Sequence, residues 1–153
     1  MSLIEKNEFQ IIRGGVPGNY QGCVDLVFES AATDLEPGYI VELDTNNGKY
    51  KKAATISTAH TAPLTIQYYM VLNAHDDYDT EFTGKYVGLR GSFRVKMPVA
   101  NVVVDTDSVP AVGKRATIKT AGKLTFQASE DLGFLGIVVE YVANSHIILD
   151  MKF

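Results

Sequence analysis

Apolar residues recur at every second position along most of this chain, and that spacing restricts it to strands. In "SHIILDMKF" (145–153), Ile147, Leu149, Met151 and Phe153 fall on one face, and His146, Asp150 and Lys152 fall on the other with Ile148. The β-branched run "FLGIVVEYV" precedes it, with "ANS" (143–145) as a short turn. The two runs predict a hairpin whose last residue lies on the core face, so truncating the C-terminus should harm folding. In "TIQYYMVL" (65–72), Ile66, Tyr68, Met70 and Leu72 face one way while Tyr69 and Val71 face the other. That strand should be covered on both faces. "YVGLRGSFRVKMPV" (86–99) alternates through Val87, Leu89, Phe93, Val95 and Met97, with Gly88 and Gly91 as interruptions that predict a bulge or sharp bend. "FQIIR", "CVDLVFE" and "PVANVVVD" (98–105) predict further strands.

Helical periodicity is missing. "ESAATDL" (29–35) and "ASEDLGF" (128–134) each offer one short turn, the second with Ser129 as a cap. About ten short strands at this spacing predict an all-β fold, a small β-barrel or compact sandwich. The start of the chain differs. "RGGVPGNYQG" (13–22) holds four glycines and a proline and has no periodicity. Residues 1–21 therefore read as an extended N-terminal arm, loose or ordered by a partner, ahead of a single β-rich domain over 22–153. "KKAATISTAHTAP" (51–63) begins as strand and becomes a polar loop.

Totals narrow the function. A chain of 153 residues matches one domain, and at this size roughly two thirds of the unfolded surface can be buried without staples. With 14 basic and 18 acidic residues there is no basic surplus to neutralise phosphates, which argues against a nucleic-acid partner. Lys49, Lys51 and Lys52 beside a turn read as a solvated face. Cys23 is the lone cysteine, so no internal disulfide can form; within "GCVDLVFE" it reads as a small buried hydrophobe. "MSLIEKNEFQ" lacks the basic flank and apolar stretch of a signal peptide. No run reaches the ~18 apolar residues of a membrane-spanning helix. The expectation is a soluble chain made in a cytoplasm, with no membrane partner.

Candidate chemistry is thin. In "AHDDYDTEF" (74–82), Asp77, Asp79 and Glu81 are spaced by two, so an extended chain sets three hard oxygen ligands on one face, as calcium would need. The glycine-turned loop of an EF-hand is absent, and a solvated loop or a charged strand edge that discourages pairing is the simpler reading. "DTD" (105–107) reads as a turn. His60, His75 and His146 show no metal-ligand spacing. Ser57 with His60 could form a nucleophile–base pair only in space, and no nucleophile elbow supports it. Neither Gly-Lys pair precedes Ser or Thr, so the phosphate-loop pattern is missing. Tyr68, Tyr69, Tyr78 and Tyr86 could line a sugar-binding face, although strand tyrosines more often pack. No catalytic residue, cofactor or metal is expected.

One unit recurs. "LEPGYIVELDTNNGKYKKA" (35–53) runs from Gly38 through Val41, Leu43 and Thr45 to Gly48-Lys49 and Ala53. "VGKRATIKTAGKLTFQA" (112–128) runs from Gly113 through Ala116, Ile118 and Thr120 to Gly122-Lys123 and Ala128. A proline precedes each, Pro37 and Pro110, and the inner turn is shifted by one residue. Asn47-Gly48 suits a type I′ turn, and Ala121-Gly122 a type II turn. Duplication of a unit and chance recurrence of a common hairpin both account for the match.

This hairpin, announced by Pro-Gly and closed by Gly-Lys, resembles the β-rich core of tailed-bacteriophage head decoration (capsid cement) proteins. "AGKLTFQASEDLGFLGIVVEYV" is similar in layout to the second part of such domains. The resemblance covers residues 35–53 and 109–142; the strand-rich segment 54–108 departs from it. It implies a β-barrel or β-tulip-like domain on the outer surface of an assembled head, within the virion, made in a bacterial host cytoplasm. It implies two partners, the major capsid protein and neighbouring copies of the chain, as a trimer at a local three-fold axis. It also implies that the arm docks on the shell, through Phe9, Ile11, Ile12, Arg13, Val16 and Tyr20. Other readings stay open: a carbohydrate- or receptor-binding head-fibre or tail module, motivated by the tyrosines and the acidic loop, or a tail-tube subunit.

Overall fold

The computed structural model describes residues 10–13, 23–27, 35–54, 68–71, 85–103, 109–127 and 135–153. Eleven strands run through them: β1 Gln10–Arg13, β2 Cys23–Val27, β3 Ile40–Asp44, β4 Lys49–Lys52, β5 Tyr68–Val71, β6 Lys85–Leu89, β7 Ser92–Pro98, β8 Arg115–Thr120, β9 Lys123–Gln127, β10 Gly136–Val142 and β11 His146–Lys152. They form two antiparallel sheets, one ordered β2-β6-β5-β3-β4 and the other β1-β7-β11-β10-β8-β9. The all-β expectation holds. A closed barrel is not found. The five-stranded sheet does curl, bringing Cα atoms of its two edge strands, β2 and β4, within 8 Å of each other.

The same strand plan occurs twice. In the first sheet the order by sequence is first, fifth, fourth, second, third, over β2 to β6; β7 to β11 repeat that order in the second. Each recurrent hairpin occupies the same place in its plan, β3–β4 at one end and β8–β9 at the equivalent end. Both are entered by the same turn. The Tyr39 N–H donates to Glu36 O (3.1 Å) and the Lys114 N–H to Ala111 O (3.0 Å). Gly38 and Gly113 sit third in these turns at φ 99° and 91°, the left-handed conformation that position demands of a type II turn. The strand β1 alone lies outside the repeated plan.

Alternation places the core. Val95, Met97, Ile118, Leu124, Phe126, Ile147 and Leu149 from the larger sheet pack against Ile40, Met70 and Leu89 from the smaller. All four residues of β5 are buried, as expected for a strand covered on both faces. Its outward side, Tyr69 and Val71, joins Leu35 and Val41 in a second apolar cluster. Gly91, at φ 113°, makes the bend where the chain leaves β6 for β7 and so changes sheet. Gly88 does not bend the chain; it pairs within β6 with Val24 and Val71. The second hairpin's tip is stitched to the first hairpin's base: Ile40 N–H donates to Gly122 O (2.8 Å) and Gly122 N–H to Ala53 O (3.0 Å).

Three local expectations change. The turn at Asn47-Gly48 is not type I′, which needs positive φ at both residues; Gly48 has it (70°) and Asn47 does not. Instead Thr45–Gly48 loops between the paired Asp44 and Lys49. Asp44 Oδ1 accepts from the Asn46 N–H (2.8 Å) and Asn47 Oδ1 from the Lys49 N–H (2.9 Å). These local acceptors stabilise a longer loop than a two-residue turn. The strand expected over 98–105 is also absent where the chain is described. Val99–Asn101 form a 3-10 turn, the Asn101 amide donates to Pro37 O, and Val102 makes a lone parallel bridge to Leu124. Finally, part of the expected arm is sheet: β1 pairs with β7, Gln10 opposite Lys96 and Ile11 opposite Val95. The rest of residues 1–21 lies outside the described residues, as do both suggested helical turns apart from Leu35, which is buried in no helix.

Candidate functional site

Among the described residues, several polar and charged side chains on the strands tie neighbouring segments together. Arg94 on β7 and Asp150 on β11 are cross-strand neighbours. They form a two-pronged pair, Nε to Oδ1 at 2.6 Å and Nη2 to Oδ2 at 2.8 Å, and that bond raises the guanidinium's already high pKa. Glu42 is buried on β3, where Oε2 accepts from the Ala54 N–H (3.1 Å) while Oε1 faces Lys51 Nζ at 3.7 Å. Lys51 also reaches Asp44 (3.6 Å). The lysine cluster thus remains largely solvated, with Lys51 answering two carboxylates.

One arrangement resembles a catalytic relay, and the sequence pattern did not expose it. Ser145 Oγ lies 3.0 Å from His146 Nδ1, and His146 Nε2 lies 2.8 Å from Glu140 Oε2. A hydroxyl, an imidazole and a carboxylate in series could activate a nucleophile if an oxyanion site lay beside the hydroxyl. Here the serine's own N–H is spent on Val142 O (3.1 Å) inside the Ala143–Ser145 turn, and its carbonyl accepts from the Val99 N–H (3.2 Å). The trio fastens the end of the β10–β11 hairpin. Serine and histidine adjacent in sequence gave no signal that a glutamate six residues earlier would complete the chain.

The tyrosines divide. Tyr68 and Tyr69 are buried, so neither can stack on a sugar. Tyr69 meets Tyr50 edge-on at 5.5 Å between centroids. Burial, and then the Glu42 carboxylate, push the Tyr68 phenol up to about 12. The Tyr50 phenol is also raised, first by burial and then by Tyr69. Tyr78 lies outside the described residues; Tyr86 sits in β6 opposite Leu26, with its side chain outside the description. Asp77, Asp79, Glu81, Ser57, His60 and His75 lie outside the described residues too. Among the described residues no group of three or more His, Cys, Asp or Glu side chains could hold a metal.

Of the six residues suggested for shell contact, Phe9, Val16 and Tyr20 fall outside the described residues. Ile11, Ile12 and Arg13 lie in β1, and Ile12 is 49% exposed at an irregularity in the pairing with β7. Cys23 begins β2 opposite Leu89. No helix among the described residues is long and apolar enough to cross a membrane. Comparison with protein-family models, with curated proteins and with solved structures finds no match to this chain.

Proposed function

We propose that the chain is a structural subunit that binds the outer surface of an assembled phage head and stabilises it. The observation that carries this reading is that β1 is an addition to a plan already complete without it. A doubled β-core gives a stiff body, and β1, which the glycine-rich sequence 13–22 follows, gives an attachment. The described polar side chains supply cross-strand ties rather than a reaction centre, which suits a mechanical role. Its partners are then the major capsid protein and neighbouring copies. A specific docking patch would bury on the order of 800 Å² per partner, and many weak contacts on a lattice add up to firm attachment.

Sedimentation of particles from the source tests the reading: the protein should travel with heads, including heads freed of tails. A deletion of residues 1–9 should keep the fold, because it spares β1, and should lower occupancy on heads. Recovery only as free protein would overturn the reading, whereas rings or tubes formed in isolation would favour a tail-tube subunit. The carbohydrate reading loses two of its four tyrosines to the core, so a glycan array should stay silent.

A further inference from the structure

One dipeptide carries a reaction of its own. An asparagine followed by glycine can lose its side-chain amide: the glycine nitrogen attacks the asparagine Cγ, and glycine has no side chain to crowd the ring that forms. Asn47-Gly48 is the one such pair in the sequence. It lies on the Thr45–Gly48 loop, all of which is exposed. Nothing stands within 4 Å of where a Cβ would sit on Gly48, so the ring has room. The matching tip of the second hairpin is Ala121-Gly122, bonded into the seam with Ile40 and Ala53, and alanine has no amide to lose. Two hydrogen bonds hold the reacting groups at the first tip. The Gly48 N–H donates to Asp44 O (2.8 Å), and Asn47 Oδ1 accepts from the Lys49 N–H (2.9 Å).

We propose that Asn47 is a guarded modification site: the folded loop holds off its conversion to aspartate and isoaspartate, which proceeds when the loop opens. The steps balance with water as the sole co-reactant. Gly48 N gives up its proton to solvent and bonds to Asn47 Cγ; the Cγ–Nδ2 bond breaks, and ammonia leaves with a proton returned from solvent. The succinimide then takes up one water. Cleavage at Cγ gives aspartate, and cleavage at the main-chain carbonyl carbon of Asn47 gives isoaspartate. The two hydrogen bonds pull in opposite senses. A donor on Oδ1 polarises the carbonyl and favours attack. The bond to Asp44 O opposes attack, which consumes the proton that this bond holds. Deprotonation comes first, so the second effect governs, and the rate follows the fraction of time for which the loop is open. Asp44 is the positioning residue. It pairs with Lys49 across the loop, and its Oδ1 accepts from the Asn46 N–H (2.8 Å). Modification adds a negative charge to the loop, and isoaspartate lengthens its backbone by one carbon.

Peptide mapping by mass spectrometry, on protein kept in mildly alkaline buffer, tests the proposal and needs no shell. Asn47 should convert about tenfold faster or more in guanidinium chloride than in the folded chain, since opening breaks both hydrogen bonds. Asp44→Ala should speed conversion several-fold in the folded chain and leave the rate in denaturant unchanged. Asp44 also reaches Lys51, so Lys51→Ala, which removes that contact and spares the loop, should match the wild type. Circular dichroism shows whether each variant is folded, and the wild-type comparison decides the matter if Asp44→Ala is not. Equal wild-type rates with and without denaturant overturn the proposal. So does a folded Asp44→Ala protein that converts no faster than the wild type, or a Lys51→Ala protein that converts as fast as Asp44→Ala.

Discussion

At Gly136 the chain has no room for a methyl group. A Cβ there would sit 2.5 Å from Met151 Sδ and 2.6 Å from the Asp150 carbonyl oxygen. The sulfur can swing away; the carbonyl belongs to the β11 backbone opposite and cannot. Gly136→Ala should therefore cost about 1–3 kcal/mol, the range for overpacking a well-filled core. It should appear as a lower urea midpoint at unchanged slope. Tyr68 makes a different kind of prediction. Its phenol is raised from 10.0 to about 12 by burial and then by Glu42. Below pH 10 folded and unfolded chains both keep it protonated, so it adds no pH dependence. Between pH 10 and 12 the unfolded chain sheds this proton and the folded one does not, so stability falls as the pH rises. Tyr68→Phe removes that part of the fall. Unfolding free energies of the two proteins should diverge in slope over this window, and parallel lines would show that Tyr68 titrates normally.

Among elements, the hairpins were the most legible in sequence. Alternation marked the faces of β11, with Ile147, Leu149 and Met151 in the core, because one wet face and one dry face leave a period-two record. The leading glycines of the two recurrent hairpins were legible too, since each must take positive φ. Less legible were features decided by partners far along the chain. Nothing in "PVANVVVD" says that Asn101 will reach Pro37 and turn the segment off the sheet. Which strands share a sheet was hidden as well, since a strand's pattern records that it is buried and not against what. Ser145, His146 and Glu140 went unread for the same reason. Phe153 illustrates an element's end that was read correctly. Its backbone exchanges two hydrogen bonds with Gly91 (2.8 and 3.2 Å), and its ring meets Phe93 edge-on at 5.6 Å. Phe153→Ala keeps the backbone pair and loses the ring, so the cost should be about 2 kcal/mol, below that of a fully buried phenylalanine. Thermal unfolding should show the loss, and a melting temperature unchanged from wild type would place the ring outside the core.

A strand plan used twice raises the question of whether the molecule is one folding unit or two. The repeated plan alone would allow two, each a five-stranded sheet. The packing argues for one. Each sheet supplies an inner face to the same apolar cluster, in which Ile40 and Met70 of one sheet join Phe126 and Leu149 of the other. Separating the sheets would expose both faces, at roughly 25 cal/mol for each Å² of apolar surface returned to water. Hydrogen bonds cross the seam as well, at Ile40, Ala53 and Gly122. Among the described residues, the inner face of each sheet is covered by the other. Denaturant unfolding should therefore be a single transition, and probes confined to one sheet should report the same midpoint as probes confined to the other. Amide exchange makes the comparison residue by residue: the slowest amides of β3 and β5 should open with the same free energy as the slowest of β7 and β11. Two separated midpoints, or one sheet opening while the other stays protected, would mean that the shared core is too weak to couple the units.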